Sequence, residues 1–130
     1  MRKELENRLV SLSLNIERLC KGLKAGFMAE HLSKQIIRSS SSAALNYGEA
    51  QAAESKNDFI HKISIVLKEL RETRVWLLMI QQVGLIKPVT TLDALLQETN
   101  ELTAIFVASL KTTAKGRDFR LDGSAYGTRL

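Results

Sequence analysis

Residues 55–84 read SKNDFIHKISIVLKELRETRVWLLMIQQVG, and this stretch decides the fold. Its core-type positions are separated alternately by four and three residues, which places them along one side of an α-helix. Ser55, followed three residues later by Asp58, is typical of a helix N-cap, and Gly84 with Pro88 predicts the helix end. The predicted core stripe consists of Phe59, Ile63, Val66, Leu70, Thr73, Leu77 and Ile80.

Helical spacing also occurs in three other segments. The first covers residues 5–23, where Leu and Ile form a stripe that ends at a glycine-containing connection. The second covers roughly residues 29–54 and has a face of small residues around Ser39–Ser42, which lets a neighbouring helix approach closely. The last is predicted to begin with Thr90 as its N-cap and to end near Lys115.

Four amphipathic helices with short connections predict an all-α fold, an antiparallel up-down-up-down four-helix bundle. With 130 residues, of which 45% are hydrophobic, the chain is long enough for one domain with one core. The bundle is predicted to occupy residues 1–115. Residues 116–130 are predicted to be an irregular C-terminal tail, because they have no apolar period and contain three glycines.

The composition excludes several classes of protein. A single cysteine, Cys20, and two histidines rule out a disulfide framework and a cysteine-rich zinc module. No stretch approaches the roughly 18 to 20 apolar residues of a membrane span. Residues 1–8 are rich in charge and do not resemble an export signal. We therefore expect a cytoplasmic protein without a membrane partner.

No set of residues in the sequence predicts catalysis. His31 and His61 fall at opposite ends of an antiparallel hairpin, so a shared metal site is not expected. The serine run at residues 39–42 has no His or Lys at a spacing that would activate it, and packing explains it better. Cys20 lies beside the first apolar stripe, as a packing residue does. We expect no catalytic residues, no metal and no cofactor.

The charge distribution is more informative than the net charge. The chain carries 19 Lys and Arg against 14 Asp and Glu, a net charge of +5. The excess lies in residues 1–24 and 55–88, so a surface built from helices one and three could attract a phosphate backbone. The alternative is an ordinary solvated face on a structural or protein-interaction bundle. The residues predicted to contact RNA, DNA or a nucleic-acid enzyme are Arg8, Arg18, Lys21, Lys62, Lys68, Arg71 and Arg74.

Other residues of helices two and three predict structural contacts. Polar side chains beside the apolar stripes could form a network that fixes helix register, namely Arg38, Asn46, Glu49, Glu69 and Glu72. Lys68 and Glu72 are also spaced for an ion pair within helix three. This helix has more apolar residues than one core stripe uses, and a monomer would leave part of them in water. We therefore predict a homo-oligomer with Trp76 in the subunit interface.

Four motifs of these two helices carry a family resemblance. They are QIIRSS at residues 35–40, NYGEA at 46–50, AESKNDF at 53–59 and KELRETRVWL at 68–77. Their residues and order resemble the four-helix-bundle family known as 23S rRNA intervening-sequence proteins, whereas helices one and four match only in pattern. This chain has Ser42 and Ala43 where the family often has a glycine, and Val75 where an aromatic residue often precedes the Trp.

The resemblance implies a bundle that assembles into a ring, typically a pentamer, with a basic surface and no established enzymatic activity. The accessory variability determinant of diversity-generating retroelements is a more distant likeness. It forms a similar basic pentameric barrel and works with a reverse transcriptase and its RNA. By this analogy alone, RNA or DNA and a reverse transcriptase are the partners to expect.

Overall fold

The computed structural model describes residues 2–87 and 89–115, which form four α-helices and no β-strand. The helices are α1 (Arg2–Lys21), α2 (Phe27–Gln51), α3 (Lys56–Val83) and α4 (Thr90–Ala114). The predicted all-α fold is therefore confirmed. The predicted tail at residues 116–130 lies outside the described residues, so the boundary at residue 115 stays a prediction.

The helices follow one another around the bundle, and each packs against its two neighbours, with α4 returning to α1. Glu49 of α2 contacts Lys62 near the start of α3, whereas Arg38, earlier in α2, contacts Glu69 later in α3. Residue numbers decrease along α2 in the direction in which they increase along α3, as antiparallel packing requires. Consequently α1 and α3 occupy diagonal corners of the bundle, as do α2 and α4.

The core is built from the stripes that the sequence predicts. All seven predicted core positions of α3 are buried, and so are the five Leu and Ile positions of the α1 stripe from Leu5 to Leu19. On α2 the small residues Ser39, Ser40 and Ala43 are fully buried, which allows α2 and α3 to pack closely. Tyr47 reaches across the bundle to Phe106, with ring centroids 5.1 Å apart and planes at 64°.

The helix ends agree with the predicted signals in α3 and differ in α4. The Ser55 hydroxyl accepts a hydrogen bond from the Asp58 amide at 3.0 Å, and Gly84 ends α3 in the left-handed conformation at φ 75°. The predicted Thr90 N-cap is wrong, because Val89 holds that position and makes no side-chain cap. The Asp93 carboxylate instead accepts from Gln81 of α3 at 3.3 Å, across the helix pair that the short connection brings together.

Candidate functional site

A polar seam runs between α2 and α3, centred on Arg38. One Arg38 nitrogen, Nη1, donates to Glu69 Oε2 at 3.3 Å, and Nη2 donates to Glu69 Oε1 at 3.3 Å and to Glu72 Oε1 at 2.7 Å. The hydrogen bond with Glu69 is the main reason that the pKa of Arg38 lies above its usual value. The structure therefore brings three of the five predicted network residues into direct contact.

Glu69 is the buried member of this seam, because its side chain is only 7% exposed while that of Arg38 is 52% exposed. The Ser42 hydroxyl donates to Glu69 Oε2 at 2.8 Å, and the Asn46 amide donates to the Ser42 carbonyl and hydroxyl oxygens at 2.9 and 3.1 Å. Asn46 thus joins the network through Ser42, a residue that the sequence argument did not include. Since both carboxylate oxygens of Glu69 accept hydrogen bonds, its burial is compensated.

Glu49 lies apart from the other network residues. Its Oε1 accepts a hydrogen bond from Lys62 Nζ at 2.6 Å. This contact lies where α2 ends and α3 begins, away from Arg38. A buried hydroxyl pair completes the seam, with Ser39 Oγ 2.8 Å from Thr73 Oγ1. The helical spacing predicts Thr73 as a core position, and its polar partner becomes apparent only when α2 packs against α3.

Two of the residues predicted to bind nucleic acid form ion pairs with carboxylates of a neighbouring helix. Arg8 of α1 donates to both carboxylate oxygens of Glu98 on α4, at 2.9 and 2.6 Å, and to Glu101 at 3.3 Å. Lys62 is held by Glu49. The hydrogen bond to Glu98 raises the pKa of Arg8, and the one to Glu49 raises that of Lys62. These contacts hold helices together, which argues against a nucleic-acid role for either residue.

The two other α1 residues predicted to bind nucleic acid contact residues of their own helix. Arg18 donates to Asn15 Oδ1 at 2.6 Å, and Lys21 forms an ion pair with Glu17 at 3.1 Å. Moreover, α1 and α3 lie at diagonal corners, so their outer faces point to different sides of one subunit. The single basic surface predicted from both helices is therefore not formed within one chain.

The α3 cations are placed differently. Lys68, Arg71 and Arg74 are exposed and form no ion pair with any residue in the described ranges. The predicted pair between Lys68 and Glu72 is wrong, because Glu72 turns to Arg38 of α2. The three side chains lie within two turns of one helix, about 9 Å along its axis. They form the α3 basic face.

Next to the α3 basic face, the last turns of α3 and the first turns of α2 enclose an apolar groove of about 380 Å³. Val75 and Met79 in its lining are 47% and 45% exposed, and Trp76 is half-buried with its ring edge-on to His31 at 6.1 Å between centroids. The buried Trp76 Nε1–H finds no acceptor among the described residues. Val75, Trp76, Leu78 and Met79 of the lining are apolar residues of α3 outside its predicted core stripe.

The described residues contain no group of three or more His, Cys, Asp or Glu side chains arranged to hold a metal ion. Both histidines are exposed. Cys20 is half-buried against the core, and burial is the main cause that raises the pKa of its thiol, while a hydrogen bond with Ser33 lowers it. None of the described helices combines the length and apolar character needed to cross a membrane.

Comparison with known proteins agrees with this bundle of four helices. The family model described as 23S rRNA-intervening sequence protein matches residues 4–108. The chain belongs to this family.

A crystal structure of a member of the S23 ribosomal protein family from Bacteroides thetaiotaomicron VPI-5482, a protein with unknown function, is similar to this chain. The two are 30% identical with a TM-score of 0.73, and the match covers 83% of this chain and 99% of the other. No curated protein matches. Membership of the 23S rRNA-intervening sequence family thus fits the helices and the fold, and the similar crystal structure is described as a protein with unknown function.

Proposed function

We propose that this member of the 23S rRNA-intervening sequence family is a non-enzymatic, oligomeric bundle that binds RNA or DNA through the α3 basic face. The observation that carries the proposal is that Lys68, Arg71 and Arg74 are exposed and without an ion pair among the described residues. When unpaired cations on one short stretch of helix contact phosphates, the nucleic acid releases its condensed counterions. This release drives association with the nucleic-acid backbone.

The chemistry of this face supports recognition of the backbone rather than the bases. Between residues 61 and 75 the exposed side chains of α3 are His61, Ser64, the three cations and Val75, with no Phe, Tyr or Trp on which a base could stack, and the adjoining Trp76 is half-buried with its ring against His31. Stacking platforms are what single-strand binders use, whereas phosphate contacts position a protein without reading sequence. The expected ligand is a duplex, bound with little sequence preference.

The test compares two triple charge reversals. Lys68→Glu/Arg71→Glu/Arg74→Glu should weaken binding of a 20-base-pair RNA duplex and flatten the dependence of log Kobs on log[salt] by about 2 to 3, about 0.9 per lost phosphate contact. The control, Lys3→Glu/Lys111→Glu/Lys115→Glu, changes the net charge equally at exposed positions. If both variants lose affinity equally, binding depends on net charge alone and the α3 basic face has no role.

We propose that the apolar groove beside this face is covered by a second copy of the chain. A different apolar patch, Val10 and Leu14, lies on the outer face of α1 with exposures of 44% and 52%, diagonal to α3. Two unlike patches on different sides favour a head-to-tail contact between one patch and the other, which forms a ring when the rotation between subunits closes. A partner could also supply the acceptor that Trp76 lacks. A monomer by light scattering at micromolar concentration would contradict this.

The alternative function is a structural or protein-interaction bundle without a nucleic-acid role, and the apolar groove is the observation that favours it. A reverse transcriptase is the protein partner that the analogy with the retroelement protein suggests. Partner binding that survives reversal of the α3 basic face and shows no salt dependence would support this alternative.

A further inference from the structure

Two exposed lysines, Lys24 and Lys87, lie in the connections at one end of the bundle. The α1–α2 and α3–α4 connections meet there, and the Lys24 amide donates to the Leu85 carbonyl at 2.8 Å. Between them lies a pocket of about 390 Å³, lined by Gly22, Lys24, Gly84, Leu85, Ile86 and Lys87. Its volume falls within the range of small-ligand sites.

Neither connection contains a carboxylate, because residues 22–26 and 84–89 include Lys24 and Lys87 but no Asp or Glu. The chain has no Asp or Glu between Glu17 and Glu30, or between Glu72 and Asp93. Of the four acids that border these stretches, Glu17 pairs with Lys21 and Glu72 with Arg38. Glu30 and Asp93 lie in the first turns of α2 and α4 at this end, where Glu30 pairs with Lys34 and Asp93 accepts from the neutral amide of Gln81. Lys24 and Lys87 form no ion pair within the described residues and are exposed.

Within the described residues of the two connections, Lys24 and Lys87 are the charged side chains. Two helix N-termini and two C-termini meet there, so the helix dipoles oppose one another. The connections add only positive side chains, and the backbone hydrogen bond between Lys24 and Leu85 fixes the two lysine-bearing segments relative to each other. A multiply charged, compact anion is the ligand that two lysines across a fixed pocket recognise best.

We propose that the pocket between Lys24 and Lys87 binds a phosphate group. This site goes beyond the proposed nucleic-acid function, because it is separate from the α3 basic face: Arg74 precedes Gly84 by ten residues, about 15 Å along the helix. The phosphate belongs either to a small phosphorylated compound or to a nucleic acid, and both present the same group to the lysines.

The first experiment measures binding of radiolabelled pyrophosphate to the full chain by equilibrium dialysis at constant ionic strength. Lys24→Gln/Lys87→Gln should weaken binding by about a hundredfold, because each of the two charge-assisted hydrogen bonds contributes roughly tenfold. The substitution keeps the Lys24 amide and its hydrogen bond to Leu85. The control Lys3→Gln/Lys111→Gln removes the same charge from exposed positions and should bind like the unaltered protein.

Equal loss of pyrophosphate binding in both double variants overturns the proposal. So does displacement of labelled pyrophosphate by chloride that is as strong as its displacement by unlabelled pyrophosphate at the same ionic strength. Lys68→Glu/Arg71→Glu/Arg74→Glu should leave pyrophosphate binding unchanged, so this site and the α3 basic face can fail independently.

A second arm identifies the source of the phosphate by comparing 5′-phosphorylated and 5′-hydroxyl RNA decamers. A preference for the 5′-phosphate that is lost in Lys24→Gln/Lys87→Gln assigns a terminal phosphate. Equal weakening of both decamers in that variant assigns the backbone. An effect on pyrophosphate alone assigns a free compound, and each of these results supports the pocket.

Discussion

At the scale of single residues, Glu69 is the side chain on which the α2–α3 seam depends most. It accepts hydrogen bonds from Arg38 and Ser42 while its side chain is almost fully buried. Glu72 shares Arg38 but is one-third exposed, so water can replace the lost contact. The two carboxylates are therefore unequal, although the sequence presents them as a pair.

We predict that Glu69→Ala lowers the free energy of unfolding by about 1–2 kcal/mol, because the Ser42 hydroxyl and the Arg38 guanidinium lose a buried acceptor. Glu72→Ala is the matched control and should cost about 0.5 kcal/mol or less, as exposed ion pairs do. Urea denaturation at one fixed protein concentration measures both. Equal costs would mean that burial of Glu69 contributes nothing to the seam.

Cys20 allows a prediction about pH. Burial raises the pKa of its thiol in the folded chain, so the neutral form is favoured there more than in the unfolded chain. The stabilisation is fully present below the thiol pKa of the unfolded chain and is lost as the pH rises through the folded value. Alkylation by iodoacetamide at pH 8 should be slower in the folded chain than in urea, followed by mass spectrometry. Equal rates would show that the thiol is freely exposed.

At the scale of secondary structure, the ends of α3 illustrate how local chemistry sets an element. Ser55 caps its start, and Gly84 ends it at φ 75°, a conformation that is strained for residues with a Cβ. Gly48 gives the contrasting case, because it lies inside α2, is exposed and would meet nothing within 4 Å if a Cβ were added. Glycine is needed at one position and not at the other.

Gly84→Ala should therefore destabilise the protein by about 1 kcal/mol, since alanine must adopt the left-handed conformation. Gly48→Ala should stabilise it by about 0.5–1 kcal/mol, because alanine loses less backbone entropy in a helix. The two variants make the same chemical change and serve as controls for each other in thermal unfolding followed by circular dichroism. A shift in the same direction for both would contradict the assignment of the two glycines.

At the scale of the whole molecule, exposed surface is divided by character. The outer side of α3 is basic at Lys68 and Arg71 and apolar from Val75 to Met79 on the same helix. A second apolar patch faces the other way on α1, and the lysine pocket lies at the end of the bundle. Different residues line these surfaces, so assembly, nucleic-acid binding and phosphate binding can be tested with separate substitutions.

If a second copy covers the groove, the melting temperature should rise by about 3–5 °C for each tenfold increase in protein concentration, because association stabilises the folded state by mass action. Val75→Ser/Met79→Ser should remove this dependence. Leu45→Ser is the control, since Leu45 is a 67% exposed apolar residue of α2 outside the groove. A melting temperature independent of concentration in the unaltered protein would mean that the groove has another occupant.

The sequence predicts the fold well and the candidate sites only in part. Core positions such as Phe59 and Ile63 follow from periodicity, because neighbours on one helix face share the same environment. The predicted contact of Arg38 with Glu69 and Glu72 is found in the geometry, while its role in register stays a prediction. The nucleic-acid contacts of Arg8 and Lys62 stay predictions, and periodicity does not reveal the carboxylates of other helices with which both residues pair.

By itself, the sequence determined four helices, their apolar faces and the short connections that force antiparallel packing, since each of these depends on residues within a few positions of one another. Only the tertiary structure decided which charged side chains pair with another helix and which remain free to bind a partner. Arg8 meets Glu98 across 90 positions of sequence, and Glu72 leaves Lys68 for Arg38 of another helix. An ion pair depends on distance in space, and that distance is set when the bundle closes.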